Sequence, residues 1–315
     1  MSNAGDLSES VEKPGLAVQP WALILALRPH QWVKNGLVFF PLVFAIDVAW
    51  DLDNLDPLPR LILDLVVVFL AFCATSSAIY LLNDFMDREA DRLHPVKRRR
   101  PIASGKLKAP VALGAMLVLA AVGLAAMALV DPVLAGIGLL YLVINVAYSL
   151  GVKRVVLLDV LSVASGYVIR ATAGAVAIDV TPSPWLYATT ASGALFIVLG
   201  RRYAEVRLAG EGSLDQRSVL SKYAGAFIGQ LLVISATAAW LSYTLYTVEA
   251  DNLPGNNTML LTLPLVIFGL FRYLYLLNTS PRAEAPEYLV VRDLPLMLSI
   301  LGWVGVSAIV LLSNG

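Results

Sequence analysis

A chain of 315 residues that is 58% hydrophobic and 15% charged, with a mean hydropathy of +0.74, is too evenly apolar for a soluble domain, so the bilayer is its solvent. Its formal net charge of zero excludes a global field that would recruit nucleic acid and leaves electrostatic function to local clusters. The single cysteine, Cys73, excludes an intramolecular disulfide and, inside an apolar run, reads as a packed thiol rather than a nucleophile.

Residues 1–20 are polar and proline-bearing and are expected to form a disordered cytoplasmic tail, because the apolar stretch from Trp21 to Leu27 is too short for a signal-peptide core. Residues 21–315 are expected to form one all-α transmembrane domain. At roughly 20 apolar residues per crossing, nine spans follow, at about 35–50, 61–82, 110–130, 133–150, 156–178, 184–200, 224–248, 258–277 and 294–312. Asp131-Pro132 and Thr181-Pro182-Ser183-Pro184 read as turns, since proline cannot extend a helix and disfavours helical geometry in the residue before it.

The N-terminal tail and the 83–109, 151–155, 201–222 and 280–293 connections hold 20 of the 23 lysines and arginines. The alternate connections hold Arg60 beside Asp47, Asp51, Asp53, Asp56, Asp131, Asp179, Glu249 and Asp251. Excess positive charge marks the cytoplasmic side, which predicts the N-terminus inside and the C-terminus outside. The long charged loops follow the second and sixth spans, as if a four-helix unit were repeated and one helix added. Arg28–Asn35 before the first span and Tyr148–Arg154 before the fifth then occupy equivalent places, each with a lysine, Lys34 and Lys153.

The second span continues out of the apolar region as Asn83-Asp84-Phe85-Met86-Asp87-Arg88-Glu89-Ala90-Asp91. On a helix, Asp84, Asp87 and Asp91 share one face. They extend over about 10 Å, too far for all three to ligate one ion. Magnesium keeps waters and binds through one or two carboxylates plus substrate phosphates, so this stripe is expected to hold a magnesium-bound diphosphate, with Asp84, Asp87 and Asp91 as ligands of two metals, or of one metal and a substrate hydroxyl. The bland reading is a solvated helix end.

A basic segment from His94 to Gly105 follows. Guanidinium forks suit phosphate oxygens, so Lys97, Arg98 and Arg100 are expected to meet a phosphorylated substrate, although topology and attraction to anionic lipid explain the same charges. Two more clusters sit on this face. Arg28-Pro29-His30-Gln31-Trp32-Val33-Lys34-Asn35, taken alone, reads sooner as an interfacial aromatic and snorkelling anchor, and Gly200-Arg201-Arg202-Tyr203-Ala204-Glu205 stands where the repeat expects a counterpart of the aspartate stripe. Arg170 lies deep in the fifth span, where an arginine is costly enough to imply function. Asp159 lies about three turns earlier, on a line that lets both face one cavity. His30 and His94, flanked by proline in turn-like segments, read as structural.

These segments resemble the UbiA-type intramembrane prenyltransferase superfamily, in which nine helices surround a central cavity beside an NDxxDxxxD magnesium motif. Asn83, Asp84, Asp87 and Asp91 fit that motif in full. The RPHQWVKN stretch from Arg28 to Asn35, the HPVKRRRPIASG stretch, Ile169-Arg170-Ala171-Thr172-Ala173-Gly174 and GRRYAE from Gly200 resemble one branch of it. That branch charges decaprenyl phosphate with phosphoribose for cell-wall arabinan synthesis. The resemblance implies phosphoribosyl transfer from 5-phosphoribosyl diphosphate (PRPP) to a polyprenyl phosphate, at the cytoplasmic face of a bacterial plasma membrane. It implies Asn83, Asp84, Asp87 and Asp91 as the catalytic motif with Mg2+. Donor and acceptor would be bound by Arg28, Gln31, Lys34, Asn35, Lys97, Arg98, Arg100, Tyr148, Lys153, Asp159, Arg170, Arg201, Arg202 and Glu205.

One departure matters. Prenyl-diphosphate-using relatives carry a second aspartate-rich motif after the sixth span, where this chain has Arg201, Arg202 and Glu205. Two rivals remain: prenyl transfer to an aromatic acceptor, and a transporter or lipid-binding scaffold without chemistry. Transporters place ionisable groups at the midplane, whereas here nearly all sit at one face. A homo-oligomer is compatible with the sequence and not specified by it.

Overall fold

The computed structural model describes residues 20–46, 48–181, 183–209, 223, 225–250, 253, 256–281, 283 and 286–313. Except for Pro20, the expected tail lies outside them. In chain order come α1 (Pro20–Leu27), a 3-10 segment (Pro29–Phe39), α2 (Phe40–Phe44), α3 (Leu58–Met86), α4 (Arg88–Leu93), α5 (Ala109–Val130) and α6 (Pro132–Leu150). Then follow α7 (Leu158–Ala177), α8 (Pro184–Ala209), α9 (Gly225–Glu249), α10 (Leu263–Thr279), α11 (Pro286–Arg292) and α12 (Leu294–Ser313). Among the described residues no strand forms beyond an isolated bridge between Ile46 and Trp50.

Proline and a carboxylate set several starts. Proline occupies the first turn of α3, α5, α6 and α10, where a missing N–H costs nothing. Asp131 caps α6 by accepting the Val133 N–H at 2.6 Å, and Asp293 accepts that of Leu296 at 2.9 Å as α12 begins.

Seven of the nine expected spans coincide with helical stretches long and apolar enough to cross a membrane: α3, α5, α6, α7, Ala226–Glu249 of α9, Thr258–Thr279 and α12. The other two differ. The span expected at 35–50 is not one α-helix; it begins at Pro29 as a 3-10 segment and ends as the five-residue α2. The span expected at 184–200 is a helix, α8, of ample length at 26 residues. Its first half carries Trp185, Tyr187, Thr189, Thr190 and Ser192 and its end Arg201, Arg202, Glu205 and Arg207, so its composition falls short of a freely membrane-soluble stretch.

The most extensive helix pairings are α3 with α5 and α8 with α9, second with third and sixth with seventh in span order. That is the relation a repeated four-helix unit requires. One apolar cluster joins the 3-10 segment, α3, α6 and α7 through Val38, Phe72, Tyr141 and Ala173. A second joins α7, α8, α9 and α10 through Val160, Phe196, Ile228 and Leu277. The 3-10 segment and α7 approach so closely that a Cβ on Gly174 would overlap the Val38 carbonyl oxygen. Glycine is required there for contact rather than for conformation. Below this, Ala22 and Ala26 of α1 pack with Leu81, Ile102 and Leu107, clamping the loop after α4 against α3.

Candidate active site

The clamp delivers the loop's Arg100 to the acids. Its Nη1 lies 3.1 Å from Asp84 Oδ1 and 2.7 Å from Asp91 Oδ2, so one nitrogen bridges two buried carboxylates. Arg28 reaches the same Asp84 Oδ1 at 2.5 Å from the other side, from a backbone held in the left-handed region (φ 55°), with its guanidinium over the Tyr80 ring. Asp87 is held separately by Lys153 Nζ at 2.7 and 3.0 Å, and Asn83 Oδ1 accepts the Ser149 hydroxyl at 2.5 Å. The stripe is not on one uninterrupted helix, because α3 ends at Met86 and α4 begins at Arg88. Helical register nevertheless runs through the junction. The N–H of Asp87 donates to Asn83 O at 2.9 Å and that of Asp91 to Asp87 O at 2.8 Å, so the backbone stays helical through the stripe.

A second cluster forms where the first turn of α7 meets the end of α8. Arg202 Nε donates to Asp159 Oδ2 at 3.1 Å and its Nη1 to Glu205 Oε2 at 2.6 Å, while Arg201 Nε donates to Glu205 Oε1 at 3.2 Å. Asp159 is fully buried, Arg202 nearly so, and Arg201 exposed. The Tyr148 phenol stands within electrostatic range of Arg202. Lys153, in the turn between α6 and α7, leaves this side of the molecule to meet Asp87, so both clusters share one end of the bundle.

Asp159 and Arg170 do not share a network. Arg170 donates to Asn35 Oδ1 (2.7 Å), Gly166 O (2.5 Å) and Tyr141 OH (3.0 Å), and lies over the rings of Tyr141 and Phe72. Three turns on a straight helix carry it too deep to meet the groups around Asp159. Asn35 passes the connection on to Cys73 Sγ at 3.3 Å and Ser76 Oγ at 3.5 Å, and Cys73 is the buried, packed thiol expected. Gln31 accepts from Lys34 at 2.6 Å. Trp32 donates to Ser77 Oγ at 3.1 Å, and that hydroxyl donates in turn to Leu27 O, so the segment is tied to α3 rather than resting in the interface alone. Lys97 is half-buried and Arg98 exposed in a 3-10 turn, Lys97–Arg99, that is set by His94 Nδ1 accepting two backbone N–H groups. Arg98 is not placed against the stripe as Arg100 is.

The sequence reading missed Tyr80, Tyr141, Ser149 and Tyr223. An isolated aromatic or serine carries no signal of a partner remote in sequence. Ser149 alone stood beside a residue singled out, Tyr148.

The donor set fits a divalent cation. Among the described residues no three His, Cys, Asp or Glu side chains gather closely enough to form a cage. Asp84 and Asp91 do present carboxylate oxygens to a single cationic atom, the arrangement that a hard ion completed by phosphate oxygens and water uses.

Seven long apolar helices, with acids and cations gathered at one end, define an integral membrane protein. The chain belongs to the UbiA prenyltransferase family, whose sequence model matches residues 38–294. It is 36% identical over 282 residues to decaprenyl-phosphate phosphoribosyltransferase of Mycobacterium tuberculosis, covering 90% of this chain and 91% of that one. It is 34% identical to the protein of the same name from Corynebacterium glutamicum, over 90% and 84%. The fold matches that of a UbiA homologue from Archaeoglobus fulgidus bound to GPP and Mg2+, with a TM-score of 0.69, 16% identity and coverage of 93% and 99%.

Proposed function

We propose that this protein transfers the 5-phosphoribosyl group of PRPP to a polyprenyl phosphate of the decaprenyl type, releasing diphosphate. The observation that carries the reading is the pairing of two unlike clusters at one end of the bundle. One is an acid stripe already balanced by Arg28, Arg100 and Lys153; the other is an arginine pair with one acid, in place of a second acidic motif. Relatives 34–36% identical along nearly the whole chain carry the matching name.

The first cluster suits the departing diphosphate. Arg28, Arg100 and Lys153 offer N–H donors to its oxygens, and Asp84 and Asp87 would hold Mg2+, which when bound neutralises charge developing on the leaving group, with Asp91 taking a second Mg2+ or the ribose hydroxyls. Arg201 and Arg202 suit the 5-phosphate, with Lys34 a further cation for donor phosphates and Glu205 orienting the pair or meeting a ribose hydroxyl. The C1–oxygen bond to diphosphate breaks and a bond from C1 to a phosphate oxygen of the lipid forms. The acceptor is already an anionic monoester, so no general base is needed, and the work of the protein is positioning and charge stabilisation. His30 and His94 have no part in this.

The site faces the cytoplasm of a bacterial plasma membrane in this reading, with the N-terminus inside and the C-terminus outside, as the basic residues favour. Cysteines placed at Ser104 and Asn256 should be labelled from opposite sides, Ser104 from the cytoplasm. The decisive assay supplies purified protein in detergent with Mg2+, radiolabelled PRPP and polyprenyl phosphate, and counts label in extracted lipid. A protein that ignores PRPP but alkylates an aromatic acid with prenyl diphosphate overturns the proposal in favour of prenyl transfer.

A further inference from the structure

The Arg202 pair is anchored by a residue remote from it in sequence. Tyr223, buried between α8 and α9, places its hydroxyl 2.6 Å from Asp159 Oδ1 and 2.8 Å from the Leu157 backbone nitrogen. A phenol has one proton and accepting lone pairs. Here it donates to the carboxylate and accepts from the N–H. Leu157 has φ 68° and ψ −41°, a conformation that a branched side chain disfavours, and it immediately precedes α7. The phenol thus holds both the strained backbone entering α7 and the acid two residues further on. Burial and the neighbouring Asp159 carboxylate push the Tyr223 hydroxyl up to about 12, so the donated proton stays in place throughout the neutral range.

From there the connection runs in one direction. Asp159 receives Tyr223 on Oδ1 and Arg202 Nε on Oδ2, and Arg202 Nη1 continues to Glu205, which receives Arg201. With Nε and Nη1 committed, the rotation of the Arg202 guanidinium is fixed and its Nη2 edge is the part that can meet a ligand. A carboxylate held by one hydrogen bond can pivot; held on both oxygens it cannot.

We propose that Tyr223 is a positioning residue for the phosphate end of the donor, acting through Asp159 on the orientation of Arg202. The assignment of that phosphate to PRPP rests on the function proposed above; the orienting role does not.

Two measurements on the full-length protein test it. In Tyr223→Phe the ring remains and both hydrogen bonds go. The KM for PRPP should rise about tenfold, the scale of one hydrogen bond to a charged group. kcat and the KM for polyprenyl phosphate should stay within about twofold to threefold. Tyr223→Phe combined with Asp159→Asn should be no worse than Asp159→Asn alone, as residues acting in series behave. Independently of any substrate, modification of Arg202 by phenylglyoxal, read by mass spectrometry, should increase several-fold in Tyr223→Phe. Unchanged labelling together with an unchanged PRPP KM overturns the proposal. So does a uniform loss of kcat and both KM values tracking a lowered melting temperature, which would make Tyr223 packing alone. If the wild-type protein ignores PRPP, the functional reading fails and the labelling decides the positioning role by itself. Should Tyr223→Phe not fold, Asp159→Asn carries the same two expectations.

Discussion

The two clusters solve opposite problems with the same groups. At the end of α3 the acids are local, spaced within one helical register, and their cations arrive from three distant places: Arg28 before the first span, Arg100 from the loop after α4 and Lys153 from the α6–α7 turn. At the end of α8 the cations are local and the buried acid Asp159 arrives from α7. An acid stripe surrounded by borrowed cations can exchange them for a metal and a polyphosphate. An arginine braced by one local acid and one buried acid from α7 stays put and presents a fixed donor edge. On the function proposed above, the first cluster would take up and release charge and the second would recognise it.

The comparison breaks most visibly at the acids. Asp84→Asn or Asp87→Asn should lower turnover at least ~100-fold, about 2.7 kcal/mol of transition-state stabilisation, and EDTA should abolish it until Mg2+ is restored. Near-wild-type rates in both variants would remove the metal role from the stripe. At the other cluster, Arg202→Ala should weaken PRPP binding by roughly 1.5–3 kcal/mol while sparing the lipid acceptor. Arg202→Lys should recover only part of that, since an ammonium cannot reproduce a fork; full recovery would mean that charge alone is read there.

Arg100→Gln sharpens the idea of exchangeable charge. Two buried carboxylates lose a shared partner, so stability should fall by about 1–3 kcal/mol, and added Mg2+ should raise the melting temperature more than it does for wild type. An equal Mg2+ shift in both proteins would argue against exchange. The smallest effect is expected within the same acidic run, at Glu89→Gln. Glu89 is exposed and pairs with Arg88 and Arg92 in solvent, so activity and melting temperature should not move. A large loss there would extend the stripe to a fourth acid.

Much of this was legible because its signal is local. Asp84, Asp87 and Asp91 declare one face by spacing alone, and the apolar runs of α3, α5, α6, α7, α9, α10 and α12 declare helices by length. The family was readable from Asn83, Asp84, Asp87 and Asp91, and the branch it resembles from stretches such as Arg28–Asn35 and Gly200–Glu205. What escaped is pairwise and remote. Nothing in the neighbourhood of Tyr223 announces Asp159, 64 residues away, and nothing near Ser149 announces Asn83. The expectation that Asp159 and Arg170 face one cavity rested on helical phase. Their hydrogen bonds part along α7, Arg170 donating to Asn35 and Tyr141 while Asp159 accepts from Arg202 and Tyr223. The first span was misjudged for a related reason: apolar content fixes that a segment is buried, and the pitch of its backbone is decided by its neighbours.

That pitch has a consequence for reach. A 3-10 helix rises about 2.0 Å per residue, so the 11 residues from Pro29 to Phe39 extend about 22 Å, where an α-helix would extend about 16 Å. The five residues of α2 add about 7 Å at α-helical rise. Together they measure close to 30 Å, the thickness of the hydrocarbon core. At α-helical rise throughout, the same 16 residues would measure only about 24 Å. The stretch is pinned part-way by the bond from Arg170 to Asn35 and by the close approach of Gly174 to Val38, with Arg28 left at its lower end against Asp84.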